Sequence, residues 1–341
     1  MKFPKNFPEE TTNPIYTEFF SKSKLEAKVE KTKWRGRPSD NSFCFINPEV
    51  KYKEREGVVL KKIKEVFGID SNTFDTKFRQ AISGDGQEVK RISTLHSSSL
   101  AALLLLYSVS ENELECTLDG ENYTFNDCFF EVKTNVKDSH FSNMDVVLVG
   151  KDSKGIDVIF FLESKFSEYL NTGMCNNISI DAYKKSYDEL GLIGDNAIQG
   201  LLIQEGKGTD NLTCLQIMST GEPQYCSGIK QMISHYIGVT NFINKGIDAL
   251  DPKQIQDFET IANLRDDAKT KIILAEVLFA FDDKVDKGKT RFSRYSSIYR
   301  DLALKLKKKS SRLHILPEVL TYQELLKDFE IDSKVKDFYQ L

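Results

Sequence analysis

The chain has 341 residues, of which 40% are hydrophobic and 29% charged, and its formal net charge is −4. Those proportions belong to a globular chain long enough for one large domain or two ordinary ones, and they exclude a disordered or collagen-like polymer. So mild a negative balance also excludes recruitment of nucleic acid by the overall field, so any such binding must come from a local basic patch.

The N-terminal stretch is polar and broken by Pro4, Pro8 and Pro14, unlike a secretory signal. An irregular arm follows, with Lys31, Lys33, Trp34, Arg35 and Arg37, which either clamps a phosphate backbone or is solvated around a packed Trp34. Val59, Ile63, Val66 and Phe67 recur at helical spacing, and Gly68 ends that helix. Residues 97–108 predict a second helix with serine N-cap oxygens and a fully apolar run over 100–106, which should be deeply buried. That run is much shorter than the ~20 residues a membrane span needs, so no membrane segment and a cytoplasmic location are expected. Cys44, Cys116, Cys128, Cys175, Cys214 and Cys226 contain no C-x-x-C pair and read as reduced thiols.

From residue 114 the period becomes strand-like. Asp119-Gly120 marks a hairpin between residues 114–118 and 123–132, and two further strands are expected at 144–149 and 158–166. Tyr183, Tyr187 and Leu190 share one helical face. Ile229, Met232, Ile233, Tyr236, Ile237 and Thr240 trace an amphipathic helix. Residues 272–281 form an apolar strand-type run with Glu276 its only charge, followed by a helix over 292–309 and a short strand at 313–316. Thr321 with Glu324 makes a capping box that should open the last helix. The expected class is α/β: a mixed sheet flanked by helices over residues 91–341, with an arm and helical elaboration over 1–90.

Acid-x-Lys triplets abound in polar stretches, for example Glu26-Ala27-Lys28 and Asp332-Ser333-Lys334. Glu163-Ser164-Lys165 differs because it ends the apolar run 158–162, where charges at a buried strand tip need partners. A three-residue turn over 153–155, with Gly155 left-handed, sets Asp152 opposite Ile156. Counting outward, Asp145 falls opposite Glu163 and shares a face with it and Lys165. Facing carboxylates repel unless a cation or proton lies between them, and Mg²⁺ suits such oxygen donors. The rival triplet Glu131-Val132-Lys133 counts out opposite Ser108; Glu131 is a candidate third carboxylate from a neighbouring strand.

Asp145 followed by Glu163-x-Lys165 on a hairpin resembles the PD-(D/E)xK nuclease superfamily. The order of a helix, three antiparallel strands, a helix and a further strand resembles its restriction-endonuclease-like fold. Leu95 to Ser98 opening the early helix, Phe166-Ser167-Glu168 after the triplet and Gln231 on a later helix resemble restriction-endonuclease-like bacterial proteins. Asn143-Met144-Asp145 lacks the proline that names the motif. The resemblance implies a metal-dependent DNA endonuclease, such as a restriction or defence nuclease, acting on double-stranded DNA. It implies Mg²⁺, with Mn²⁺ as substitute, held by Asp145, Glu163 and the Ser164 carbonyl, while Lys165 acts on the attacking water and Gln231 approaches the site. A homodimer would place two sites on two strands. The alternatives are a nuclease-fold protein that binds DNA without cutting it, and an interaction protein that uses the hairpin as scaffold. His235, one turn after Gln231, reads as a surface or capping histidine. Lys305, Lys307, Lys308, Lys309 and Arg312 either contact phosphates or form a solvated helix end.

Overall fold

Two left-handed turns fold the middle of the chain into a meander. Asp119 and Gly120, at φ 49° and 80°, join β1 (Leu114–Leu118) to β2 (Glu121–Lys137). Gly155, at φ 78°, lies in the turn between β3 (His140–Asp152) and β4 (Asp157–Lys165). The Asp152 amide donates to the Ile156 carbonyl at 2.9 Å, and the Asp152 carboxylate accepts the amides of Lys154 and Ile156. This is the three-residue turn expected from the sequence, and it fixes the register Lys151↔Asp157 through Val146↔Leu162.

The computed structural model describes residues 52–83, 92–95, 97–137, 140–170, 228–308 and 312–341, with short strands at 30–33, 41–44, 177–179, 202–204, 211–217 and 223–225. The helical face of Tyr183, Tyr187 and Leu190, and the side chains around Trp34, lie outside the described residues.

β5 (Lys271–Leu278) joins the meander in parallel beside β4, from Lys271↔Val158 to Leu278↔Lys165. β6 (Leu313–Ile315) and β7 (Leu320–Thr321) both pair in parallel with β5, completing a seven-stranded mixed sheet. The fold is therefore α/β, a mixed sheet with flanking helices.

N-terminal to the sheet lie α1 (Tyr52–Phe67), α2 (Asn72–Ala81) and α3 (Ser98–Leu106). Ser97 caps α3 by accepting the Leu100 amide, and Leu100 through Leu106 are all buried. Burying each leucine contributes roughly 1.5–3 kcal/mol, which outweighs the missing polar face. The expected helix over 97–108 shortens because Tyr107–Ser110 tightens into a 3-10 turn. α1 and α2 share this core: Phe67 meets Phe338 edge-on at 5.4 Å and Phe74 meets Tyr107 at 4.9 Å.

C-terminal to β4 come α4 (Gly228–Lys245), α5 (Glu259–Asp266) and α6 (Thr290–Lys307). The Thr321–Glu324 capping box is present, but the helix it opens, α7 (Tyr322–Leu325), lasts one turn. The last helix is α8 (Ser333–Tyr339), so the capping box starts the penultimate helix and not the final one. Among the described residues no helix is long and apolar enough to cross a membrane.

Candidate active site

The ladder between β3 and β4 ends at Val146↔Leu162, so Asp145 and Glu163 stand level one step beyond it. The strands part there, and the freed Ser164 amide donates to Asp145 Oδ2 at 2.8 Å. Along β4 the side chains alternate. Ser164 Oγ turns towards α3, donating to the Ser98 carbonyl and accepting from Tyr322 Oη at 2.8 Å. Glu163 and Lys165 turn to the opposite face, where α4 covers them. Lys165 Nζ pairs with Glu163 Oε1 and donates to Gln231 Oε1 at 3.0 Å. The structure thus brings Asp145, Glu163, Lys165 and Gln231 together.

Glu131 belongs to the same place, but not by the route the sequence count gave. Ser108 lies in the 3-10 turn, outside any ladder, so it cannot face Glu131. Instead Phe130↔Val146 and Val132↔Met144 bracket Glu131 level with Asp145. Glu131 takes a left-handed backbone at φ 53°, which few non-glycine residues adopt. Gln254 holds this irregularity by donating to the Glu131 carbonyl at 2.9 Å and accepting the Lys133 amide at 3.0 Å.

Two further residues complete the cluster. Glu276 pairs directly with Glu163 across the parallel β4–β5 ladder. Four adjacent strands therefore carry a transverse row of carboxylates: Glu131, Asp145, Glu163 and Glu276. Glu276 is buried and accepts from Tyr295 Oη of α6 at 2.7 Å. Its sequence signal was a lone charge in an apolar strand. His235 is no surface histidine: it is 3% exposed, with Nδ1 2.6 Å from Ser142 Oγ and Nε2 2.8 Å from Glu163 Oε2. Its signal was its place one turn after Gln231, on the same helix face.

The electrostatics split the facing acids. Burial and the neighbouring charge of Glu163, with Glu131 beyond, raise the half-buried Asp145 carboxyl well above the usual carboxylate range. Burial also opposes charge on Glu163, but Lys165 and His235 outweigh it and hold Glu163 at about 2. Burial pushes Glu276 up to about 7 against the pull of Lys165 and Tyr295. The site therefore sets an ionised Glu163 beside an Asp145 that favours its proton.

Among the described residues no three His, Cys, Asp or Glu side chains converge closely enough to enclose a metal by themselves. One observation nonetheless suits a hard cation between Asp145 and Glu163: Asp145 is crowded by like charge that a cation would offset. Glu163 Oε2 lies 2.8 Å from His235 Nε2.

Arg312, from the expected basic cluster, instead donates to the carbonyls of Arg265 and Asp267. A scan against protein-family models finds no match to this chain, and searches of curated proteins and of solved structures find none either.

Proposed function

We propose that the chain is a metal-dependent nuclease of PD-(D/E)xK type, with a restriction-endonuclease-like fold, hydrolysing phosphodiester bonds in double-stranded DNA. The observation that carries this reading is the parting of β3 and β4 at Asp145 and Glu163, with Lys165 and Gln231 on the Glu163 side. Asp145 and Glu163, with the Ser164 carbonyl, would hold Mg²⁺ or Mn²⁺. So few protein ligands suit Mg²⁺, which keeps several of its waters. When bound, the ion would polarise the phosphodiester and make a water more acidic.

The remaining roles belong to the chain's own groups. Lys165 is held from two sides, by Glu163 and by Gln231. With Glu163 engaged elsewhere, Gln231 keeps the ammonium directed at the site, where it orients water and offsets charge growing on the phosphate. His235, braced by Ser142, holds the other oxygen of Glu163 in place. The Ser164 amide fixes the Asp145 carboxylate.

Calorimetric titration with Mn²⁺ tests the reading: wild type should bind, with affinity falling as pH drops and Asp145 takes up its proton, and Asp145→Asn should not. Equal Mn²⁺ binding by Asp145→Asn would remove the basis for the proposal. One observation favours a second reading, a nuclease-fold protein that binds DNA without cutting it. Glu163 already pairs with Lys165 and lies 2.8 Å from His235 Nε2, partners that it has without a metal. That reading expects duplex binding but no cleavage in Mg²⁺ or Mn²⁺.

A further inference from the structure

Both long helices on the carboxylate face have their N-termini at the same end of the sheet. On α4, Gln231 meets Lys165, His235 meets Glu163 and Phe242 meets Phe161, so the helix runs back along β4. On α6, Tyr295 meets Glu276, Tyr299 reaches the Leu316 carbonyl, and the chain then enters β6, whose Leu313 pairs with Ile272. The positive ends of two 18-residue helix dipoles thus lie beyond Lys165 and Glu276.

The segment joining β5 to α6 occupies that end. Residues 282–294 carry five cations, Lys284, Lys287, Lys289, Arg291 and Arg294, against three acids. All three acids are committed to backbone amides. Asp282 accepts from Lys284 and Val285, Asp283 from Gly288, and the buried Asp286 from Arg291 and Phe292. Lys284, Lys287 and Lys289 are exposed. Arg294 immediately precedes Tyr295, whose hydroxyl bonds Glu276, so this basic surface is tied to the carboxylate row through one side chain.

Of the basic stretch read as either contacting phosphates or forming a solvated helix end, the described Lys305, Lys307, Lys308 and Arg312 lie at the other end. The stretch leads into Leu313, level with Ile272, four residues before Glu276 and so about 13 Å back along the strand.

We infer that the surface formed by Lys284, Lys287, Lys289 and Arg294 is the docking site for the phosphate backbone of duplex DNA, seating a phosphodiester at the carboxylate row. This rests on the nuclease reading, and it places the substrate on the β5–α6 segment and not on the C-terminal end of α6. A backbone followed by exposed lysines releases counterions, so each lost contact lowers the salt slope of binding by about 0.9.

The test is fluorescence anisotropy of the full chain on labelled duplex DNA in chelator, across a salt series. Lys284→Gln/Lys287→Gln/Lys289→Gln should lower the slope by about 2–3 units, and Arg294→Gln should lower it by about one. Lys305→Gln/Lys307→Gln/Lys308→Gln should leave it unchanged. All these side chains are exposed or half-buried, and matching melting temperatures would confirm that the variants fold. Wild-type binding with the same slope in the Lys284/Lys287/Lys289 variant, or a slope lost only in the α6 variant, would overturn the docking site and leave the nuclease reading standing. Tighter binding of single-stranded RNA than of duplex would overturn the substrate. A wild type that binds neither duplex DNA nor Mn²⁺ would sink the nuclease reading itself.

Discussion

Asp145 Oδ2 accepts the backbone amide of Ser164 at 2.8 Å, one and two residues, respectively, beyond the last pair Val146↔Leu162 of their two strands. The side chain of one acid thereby replaces the backbone acceptor that β3 would otherwise supply, and fixes the strand beside the other acid. A charge at this position is costly to the fold without a cation, which makes it accessible to stability measurements as well as to assays of activity.

Asp145→Asn should stabilise the metal-free protein at neutral and alkaline pH. The folded carboxyl titrates well above its ordinary 3.8, so its contribution is fully present below that value and is lost as pH rises through the raised value. The amide keeps an acceptor for Ser164 and never ionises. Thermal melts in chelator from pH 4 to pH 8 should show the variant gaining on wild type with rising pH, by roughly 1–2 °C per kcal/mol. An unchanged difference across that range would show that Asp145 is not strained by its neighbours.

Glu276 makes the same kind of prediction one strand away. Its carboxyl is raised from an ordinary 4.5 to about 7, so the stability it contributes below 4.5 is lost as pH rises through about 7. Glu276→Gln should be more stable than wild type at pH 8 by on the order of 3 kcal/mol, with the advantage gone near pH 4. Tyr295→Phe removes the hydroxyl on Glu276 Oε2 and should cost about 1–3 kcal/mol at pH 6. Urea unfolding at several pH values measures both effects.

His235→Ala strands two buried partners, Ser142 Oγ and Glu163 Oε2. It should cost about 1–3 kcal/mol at pH 7 by chemical denaturation. It should also weaken Mn²⁺ binding, because Glu163 loses the group that orients one of its oxygens. His235→Asn retains a side-chain amide and should recover part of that affinity. A variant with wild-type Mn²⁺ affinity would confine His235 to packing.

The same helix is held close to the sheet by a glycine. A Cβ at Gly238 would overlap Thr134 Oγ1 of β2, so Gly238→Ala must push α4 outward or displace Thr134. The expected result is a loss of about 1–3 kcal/mol in stability. Lower Mn²⁺ affinity should accompany it, as Gln231 and His235 ride on α4. Normal affinity in a destabilised variant would show that the helix can shift without disturbing the carboxylates.

The part of the site on one hairpin was legible, because a strand alternates with period two and the turn with Gly155 fixes its register; counting from Asp152 and Ile156 sufficed to set Asp145 against Glu163. Counting from Asp119-Gly120 failed for Glu131. β1 begins at Leu114, leaving no strand partner at Ser108, and a left-handed residue holds Glu131 at the split. Glu276 reaches Glu163 through a parallel pairing across more than a hundred residues, which no local pattern encodes. His235 was placed on the right helix face, but its burial depends on how closely α4 packs at Gly238. The basic surface went unread because Lys284 through Arg294 alternate with aspartates whose commitment to backbone amides appears only in the fold.

Nuclease chemistry at Lys165 is tested most directly by cleavage of duplex DNA by wild type and Lys165→Ala in Mn²⁺, with chelator as control. Lys165 is held against Glu163 and Gln231 and is not a metal ligand in this account. Its loss should therefore appear in rate and not in affinity for metal or DNA. Wild type should cut and chelator should abolish the cutting, and Lys165→Ala should show no detectable cutting, with Mn²⁺ and duplex binding retained. Cutting that resists chelator, or a Lys165→Ala variant as active as wild type, would contradict this chemistry.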